Sequence, residues 1–179
     1  ILERPDAVIH LAWRNGFNHK ADSHITDLPE HYLFLKNMMD AGISSISVMG
    51  TMHEIGYYEG AVTEHTPCNP LSLYGIGKNA LRQSILVYAQ NKNVSVKWLR
   101  AYYILGDNSR NKSIFSRILE WAEEGKKTFP FTMGTNKYDF IPVDELAKQI
   151  SEASIQNIVD GIINVCSGQP VALKDMVEK

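Results

Sequence analysis

The stretch Ile43–Thr51, ISSISVMGT, is a short Ile- and Val-rich run typical of a buried strand, and it ends in a glycine followed by a threonine. A long helical pattern follows at Leu73–Gln90, and another strand pattern at Val94–Leu99. Upstream, Asp6–Leu11 again has a strand pattern and Asp27–Asp40 a helical one. Parallel neighbouring strands require crossover connections, so this alternation predicts a doubly wound α/β fold with a parallel sheet.

The pattern changes beyond Gly106, where shorter elements follow one another. The expected elements are helix Ile114–Glu124, strands near Thr128–Phe131 and at Asp139–Val143, helix Asp144–Ala153 and strand Gly161–Val165. We therefore expect residues 1–106 to form one domain. Residues 107–179 are expected to form mainly a smaller mixed α/β lobe, with segments that return to the sheet.

Composition excludes several classes of protein. Of the 179 residues, 44% are hydrophobic and 21% charged, which suits a globular chain, and a net charge of -2 with mixed signs provides no basic stripe for nucleic acid. No apolar run approaches the length that crosses a bilayer. Cys68 and Cys166 lack metal-type spacing, and no signal segment opens the chain, so we expect a cytoplasmic protein with a small-molecule partner.

Tyr74 and Lys78 lie four residues apart at the start of the long helix, so both side chains project from one face. A nearby ammonium favours phenolate and is expected to lower the pKa of the tyrosine, which then exchanges a proton with an alcohol or carbonyl. The spacing alone is weak, because the chain repeats it at Tyr32/Lys36 and Tyr88/Lys92. We assign those two pairs to helix surfaces.

Thr51 distinguishes Tyr74 from the other tyrosines. It follows a predicted parallel strand, and doubly wound sheets have their sites at the carboxyl ends of strands. Its hydroxyl is therefore a candidate to hydrogen-bond the same substrate oxygen as Tyr74. The alternative is that Thr51 only caps or turns the chain.

Five segments together resemble the extended short-chain dehydrogenases/reductases, in the nucleotide-sugar epimerase/dehydratase group. They are His10-Leu11-Ala12, Thr51, the Pro-x-x-x-Tyr-x-x-x-Lys segment within Asn69–Lys78, the strand end at Leu99-Arg100, and YDFIPVDELA at Tyr138–Ala147. The resemblance covers nearly the whole chain and implies a Rossmann-like fold. It also implies an enzyme that uses NAD or NADP and acts on a nucleotide-activated sugar.

The resemblance assigns roles to particular residues. Thr51, Tyr74 and Lys78 would be catalytic, and Lys78 would also bind the nicotinamide ribose. The expected cofactor-binding residues are Leu11, Ala12, Trp13, Tyr74 and Lys78, and the expected substrate-binding residues are Thr51, Met52, His53, Tyr102, Tyr103, Phe131 and Tyr138. Phe131 is read equally well as ordinary strand core.

Departures from the family pattern matter as much. No Gly-x-x-Gly-x-x-Gly phosphate turn occurs, so we expect the sheet to be incomplete at its N-terminus, with on the order of 60 residues needed before Ile1. The choice between NAD and NADP is expected to depend on that region. Tyr103 and Tyr138 replace an Asn and an Arg that relatives use against the sugar and the diphosphate, although Lys137 offers a charge there.

The histidines predict no metal site. His19, His24 and His31 match no ligand spacing and are expected to face solvent, and His10 is expected to be structural. His53 lies two positions after Thr51, where it either exchanges a proton with substrate or only shapes the pocket.

These observations favour 4-keto reduction or 4-epimerisation of a nucleotide sugar. A 4,6-dehydratase is the alternative enzyme, but relatives of that kind have Thr-Asp-Glu where this chain has Thr51-Met52-His53. A non-catalytic dinucleotide-binding sensor or scaffold is an alternative of another class, and an inactive gene fragment is a third. By analogy with the family, the helix that begins at Leu73 is a candidate for a homodimer contact.

Overall fold

The computed structural model describes residues 5–106 and 113–178. In chain order its strands are β1 (Ala7–His10), β2 (Ser45–Thr51), β3 (Ser95–Ala101), β4 (Tyr103–Leu105), β5 (Lys137–Tyr138), β6 (Phe140–Pro142), β7 (Gly161–Val165) and β8 (Val171–Ala172). Four of them form a fully parallel sheet in the order β1-β2-β3-β7. The predicted α/β fold with a parallel sheet is confirmed.

The helices are α1 (Ser23–Thr26), α2 (Leu28–Asp40), α3 (Leu73–Ala89), α4 (Ile114–Glu123), α5 (Val143–Ile155) and α6 (Leu173–Val177), with a 3-10 helix at Met52–Glu54. The helices predicted from periodicity begin and end within two residues of those observed. Short elements such as α1, the 3-10 helix and β8 were not predicted, because they contain too few residues to show a period.

The strand predicted near Thr128–Phe131 is wrong, because these residues lie in a loop. Pro130 lacks the N–H that a strand contributes to its ladder, and Phe129 instead packs against Trp121, with ring centres 4.9 Å apart. The strand predicted at Asp139–Val143 is shorter than expected. Only Phe140–Pro142 pairs, in parallel with β4, and Val143 already begins α5.

The core lies between the parallel sheet and helices α2 and α3. Leu35 and Met39 on α2 and Leu81 and Ile85 on α3 recur four residues apart, which gives each helix one apolar face. These faces pack with Ile46, Val48 and Trp98 of the sheet into one buried cluster. Burial of each large side chain stabilises the fold by about 1.5–3 kcal/mol, so this cluster fixes the edge from which the site loops emerge.

The chain divides into two compact units. The first consists of residues 1–101 and 147–165 and contains the parallel sheet. The second consists of residues 102–146 and 166–179 and contains two two-stranded sheets, β4-β6 and β5-β8. Asp139 stabilises the second unit by accepting a hydrogen bond from Ser167 N at 2.7 Å.

Candidate active site

Thr51 is the last residue of β2 and the N-cap of the 3-10 helix. Its side-chain oxygen accepts a hydrogen bond from His53 N at 3.3 Å, and Glu54 accepts one from Thr51 N at 2.8 Å, which makes a reciprocal capping box. Thr51 is buried. Thr51 therefore both caps the 3-10 helix and lies at the end of a parallel strand. The two predictions for this residue do not exclude each other.

Tyr74 occupies the first turn of α3, which Ser72 caps by accepting a hydrogen bond from Gly75 N at 3.2 Å. Its backbone N–H donates to His19 O at 3.2 Å, and the side chain of Thr51 lies close enough to its phenol to lower the pKa of that group. The structure thus brings together two of the three predicted catalytic residues. They come from neighbouring elements, the end of β2 and the start of α3.

Burial raises the pKa of Tyr74 above its usual value of 10.0. The side chain of Thr51 opposes this rise, and the negative charge of Glu54 adds to it. The expectation that Lys78 would lower this pKa is wrong for this chain. Spacing along a helix identified the face of Lys78, but it did not identify the group that its ammonium contacts.

Lys78 is buried, and its ammonium group donates to Met49 O at 2.7 Å. The same nitrogen lies 4.1 Å from the centre of the Trp13 ring. Burial lowers the pKa of Lys78 from 10.5 to about 7, while the charge of Glu54 opposes this shift. The ammonium group is therefore held near the carboxyl end of β2, at Met49, two residues before Thr51.

Three histidines surround the Tyr74 ring. The ring of His19 stacks on it with centres 4.8 Å apart, and the rings of His24 and His53 lie at 5.2 and 5.8 Å. The expectation that His19, His24 and His31 face solvent is wrong, since His24 is 1% exposed and the other two are half-buried. The burial of these histidines could not be predicted from the sequence, because their spacing matches no motif.

His24 is a neutral structural residue. Its Nδ1 accepts a hydrogen bond from Trp13 Nε1 at 2.9 Å, and its Nε2 lies 2.8 Å from Asn18 O. One nitrogen is therefore the acceptor and the other the donor, which is the pattern of a single neutral tautomer. His53 and His10 are neutral for another reason: burial lowers the pKa of each from 6.5 to about 4.

Two glycines in α3 allow the loops to approach Tyr74. A Cβ on Gly75 would lie 2.3 Å from His53 O, and a Cβ on Gly77 would lie 2.3 Å from His24 O. Both distances are shorter than real Cβ atoms tolerate. The glycines on either side of Ile76 therefore let both loops pack directly onto the helix.

Glu54 is a polar residue of this site that sequence reasoning missed. Its carboxylate is fully buried and accepts hydrogen bonds from Thr51 N and from Trp98 Nε1, each at 2.8 Å. The pattern Thr-x-x-Glu at Thr51–Glu54 is a capping-box signature, and it was the signal that would have revealed this residue.

Comparison with known proteins decides the family. Residues 1–166 match the sequence profile of the NAD dependent epimerase/dehydratase family. The chain belongs to this family. The resemblance predicted from five motifs is thereby confirmed.

Among curated members of the family, the dTDP-6-deoxy-L-talose 4-dehydrogenase (NAD(+)) of Aggregatibacter actinomycetemcomitans is 43% identical over 180 residues. That alignment covers 100% of this chain and 66% of the relative. The UDP-glucuronate 4-epimerase of Thermodesulfobacterium geofontis is 25% identical over 96% of this chain and 55% of its own. The chain thus spans between about half and two thirds of the length of these relatives.

Solved structures of the family share the fold. The UDP-glucose 4-epimerase of Thermotoga maritima, with UDP-glucose, superposes with a TM-score of 0.80 at 19% identity, over 98% of this chain and 60% of its own. The UDP-glucuronic acid 4-epimerase of Bacillus cereus, with UDP-glucuronic acid and NAD, gives 0.77 at 23% identity, over 97% and 57%. At these identities the likeness shows the fold.

The residues that follow β1, together with Lys78, fit a dinucleotide. Leu11 and Ala12 follow β1 and are exposed, whereas Trp13 is half-buried and stacks on His31 with ring centres 4.4 Å apart. An ammonium group carries three N–H donors, and among the described residues that of Lys78 donates to Met49 O. Donors therefore remain for the hydroxyl groups of a ribose.

The other predicted substrate-binding residues belong to both units. Met52 and His53 lie in the 3-10 helix of the first unit and are half-buried. In the second unit, the rings of Tyr103 and Tyr138 pack edge to face with centres 4.7 Å apart, and burial raises the pKa of Tyr103 to about 12. Tyr102 is half-buried in the same unit.

Phe131, by contrast, lies in the loop after α4 and is 37% exposed. A Cβ on Gly134 would lie 2.5 Å from its ring, so the chain bends closely around it. Its alternative reading as strand core is wrong, because these residues form no strand.

Residues 5–106 and 113–178 contain no candidate site for a metal ion and no candidate membrane-spanning helix. Over those ranges, the His, Cys, Asp and Glu side chains form no group of three or more that would hold a metal ion. Nor is any helix there long and apolar enough to cross a membrane.

Proposed function

We propose that this chain carries the reacting centre of an NAD-dependent oxidoreductase that acts at C4 of a nucleotide-activated sugar. The first substrate to test is dTDP-6-deoxy-L-talose, because the relative named for that activity is 43% identical to this chain along its whole length. The observation that carries the proposal is the position of Thr51 at the end of a parallel strand, where its side chain lies close enough to Tyr74 to lower the pKa of the phenol.

Tyr74 is the proton-transfer group in this proposal. Oxidation of a secondary alcohol to a ketone removes one proton from the hydroxyl group, and Tyr74 in its phenolate form accepts it; in reduction the neutral phenol returns the proton. Thr51 supports the phenolate, since its hydroxyl lowers the pKa of Tyr74 against the effect of burial. The same hydroxyl orients the substrate oxygen.

NAD, when bound, supplies the acceptor for the hydrogen that leaves C4 together with its electron pair. Leu11, Ala12 and Trp13 would contact the cofactor after β1, and Lys78 would bind the nicotinamide ribose. The buried position of Lys78 and its hydrogen bond to Met49 O support this role, because they hold the ammonium in a fixed place.

Further residues are proposed as contacts for the sugar nucleotide. In the first unit these are Met52 and His53, which follow Thr51 directly. Within the second unit the proposed residues are Tyr102, Tyr103, Phe131 and Tyr138. Aromatic rings and phenol hydroxyl groups suit bases and sugars, because they combine apolar faces with hydrogen-bonding tips.

A 4,6-dehydratase is less well supported. Loss of water across C5 and C6 requires an acid and a base beside the threonine. Met52 transfers no proton, and burial keeps His53 neutral with its pKa lowered to about 4. Glu54 does carry a carboxyl group, but it is fully buried against Trp98 and the Thr51 backbone.

We also propose a homodimer that forms through α2 and α3. Both helices expose large apolar side chains, namely Leu33 and Phe34 on α2 and Ile76 and Val87 on α3. Exposed apolar side chains grouped on neighbouring helices are typical of protein interfaces. Val87→Glu should then shift the species seen by sedimentation from dimer to monomer.

The proposed activity is tested with the full-length protein in which this chain occurs. Incubation with NAD⁺ and dTDP-6-deoxy-L-talose should produce NADH together with the 4-keto sugar. Incubation with UDP-glucose and dTDP-glucose should yield no 4-keto-6-deoxy product. Absence of NADH together with no change in any of the three sugars would contradict the proposal. A net change of C4 configuration without NADH would indicate an epimerase.

A further inference from the structure

Glu54 has an environment that a helix cap alone does not require. Its Oε1 accepts hydrogen bonds from Thr51 N and Trp98 Nε1 at 2.8 Å. Its Oε2 lies 3.5 Å from Arg100 Nη2 and 3.6 Å from Arg82 Nε. Three elements besides its own therefore contact one carboxylate: β2 through Thr51, β3 through Trp98 and Arg100, and α3 through Arg82.

The charges in this cluster favour an ionised carboxylate. Arg100 is fully buried, and a buried guanidinium stays charged and requires a nearby anion. Burial raises the pKa of Glu54, while its hydrogen bond with Thr51 N and the charge of Arg100 oppose that rise. The two arginines thus hold the carboxylate in one place by their charge, in addition to the hydrogen bonds that it accepts from Thr51 N and Trp98 Nε1.

The carboxylate of Glu54 and the indole of Trp98 occupy the space beside Gly50 that a larger side chain would fill. A Cβ at this position would lie 2.1 Å from Trp98 Nε1 and 2.8 Å from Glu54 Oε1. The indole and the carboxylate therefore pack directly on the backbone of β2, one residue before Thr51. Any displacement of Glu54 would change the position of the Thr51 amide to which it is bonded.

We propose that Glu54 is a positioning residue for the reaction, which it serves by fixing the backbone of Thr51 so that the Thr51 hydroxyl stays beside the phenol of Tyr74. This inference rests on the proposed function. Glu54 is too deeply buried to contact a substrate, so it acts through Thr51. A small shift of a substrate-orienting group is enough to slow a reaction substantially.

The informative change is Glu54→Asp, which retains a negative charge beside Arg100 but shortens the side chain by one methylene group. The carboxylate then loses its reach to Thr51 N. In the full-length protein, kcat should fall about tenfold while KM for the sugar nucleotide stays within about twofold. Glu64→Asp is the matched control, because Glu64 is exposed on the loop after the 3-10 helix; it should leave kcat unchanged.

A double-mutant cycle with Thr51→Val separates positioning from general stability. If Glu54 acts through the Thr51 hydroxyl, Glu54→Asp should lower kcat by less than about twofold in the Thr51→Val background. An equal loss of kcat in both backgrounds would overturn the inference, since it would show that Glu54 acts by another route.

Glu54→Gln provides a second variant that distinguishes length from charge. Its amide oxygen still reaches Thr51 N, but the anion beside Arg100 is lost. The free energy of unfolding should therefore fall, whereas kcat of the folded protein should stay within about threefold of the parent protein. A loss as large as that expected for Glu54→Asp would overturn the inference. Should Glu54→Asp not fold, this variant carries the kinetic test.

Hydrogen exchange of the Thr51 amide, measured by NMR, needs no substrate. It should accelerate in Glu54→Asp relative to Glu64→Asp, because the amide loses its acceptor. Unchanged exchange would overturn the inference alone. A parent protein that does not act on any of the three sugar nucleotides would instead overturn the proposed function, so the two failures are distinguishable.

Discussion

The ammonium nitrogen of Lys78 lies 4.1 Å from the centre of the Trp13 ring, on the side of the sheet where β1 and β2 end. The Trp13 ring and Met49 O are the contacts that hold the ammonium group of Lys78, whose side chain is buried. Because burial lowers the pKa of Lys78 to about 7, the lysine titrates in a range where the stability of the protein is easily measured.

The first prediction concerns the dependence of stability on alkaline pH. Between pH 7 and 10.5 the unfolded chain keeps a proton on Lys78 that the folded chain has released, so rising pH favours the folded state. The free energy of unfolding should rise through this window, by at most about 1.4 kcal/mol per pH unit. Urea unfolding of the parent protein and of Lys78→Met measures this. A rise that persists in Lys78→Met would contradict the assignment to Lys78.

A second prediction concerns acid. Burial lowers the pKa of both His10 and His53 from 6.5 to about 4, so below 6.5 the unfolded state binds protons that the folded state excludes. Stability should therefore be lost as pH falls from 6.5 to about 4.

His53→Gln should reduce this acid-induced loss, as measured by urea unfolding at both ends of the window. The control is His65→Gln, because the side chain of His65 is 88% exposed; it should retain the full loss. If the two variants behaved alike, His53 would not be buried as described.

A third prediction concerns the close approach of a loop to α3. Gly77→Ala would put a Cβ 2.3 Å from His24 O, and a backbone carbonyl has little freedom to move away. This variant should lose about 1–3 kcal/mol of unfolding free energy. In Gly16→Ala the new Cβ meets nothing within 4 Å, so its stability should be close to that of the parent. Equal stabilities by urea unfolding would show that the loop does not pack on the helix.

The sheet and the main helices were predictable because each contains enough residues to show a period. Leu35 and Met39, and likewise Leu81 and Ile85, recur at helical spacing, and the strand pattern of Ile43–Met49 contains no polar residue larger than serine. The strand expected near Thr128–Phe131 does not form, because Pro130 lacks the N–H that a strand contributes and Phe129 packs against Trp121.

The site was only partly predictable. Thr51, Tyr74 and Lys78 follow from motifs, and the contact between Thr51 and Tyr74 agrees with the prediction that strand end and helix start share an edge. The contact of the Lys78 ammonium with Met49 O depends on tertiary packing and left no trace in spacing. The same holds for His19 and His24, which are far from Tyr74 in sequence yet face its ring.

The most direct test of this account is the turnover of Tyr74→Phe in the full-length protein, measured as NADH formed from NAD⁺ and dTDP-6-deoxy-L-talose. Loss of the phenol oxygen should lower kcat at least about a hundredfold and leave NAD affinity nearly unchanged, because one proton-transfer group is removed and little packing is lost. The matched controls are Tyr32→Phe and Tyr88→Phe, whose rings contact each other with centres 6.2 Å apart; both should retain full kcat. Undiminished kcat in Tyr74→Phe, or its loss in either control alone, would contradict the assignment of Tyr74.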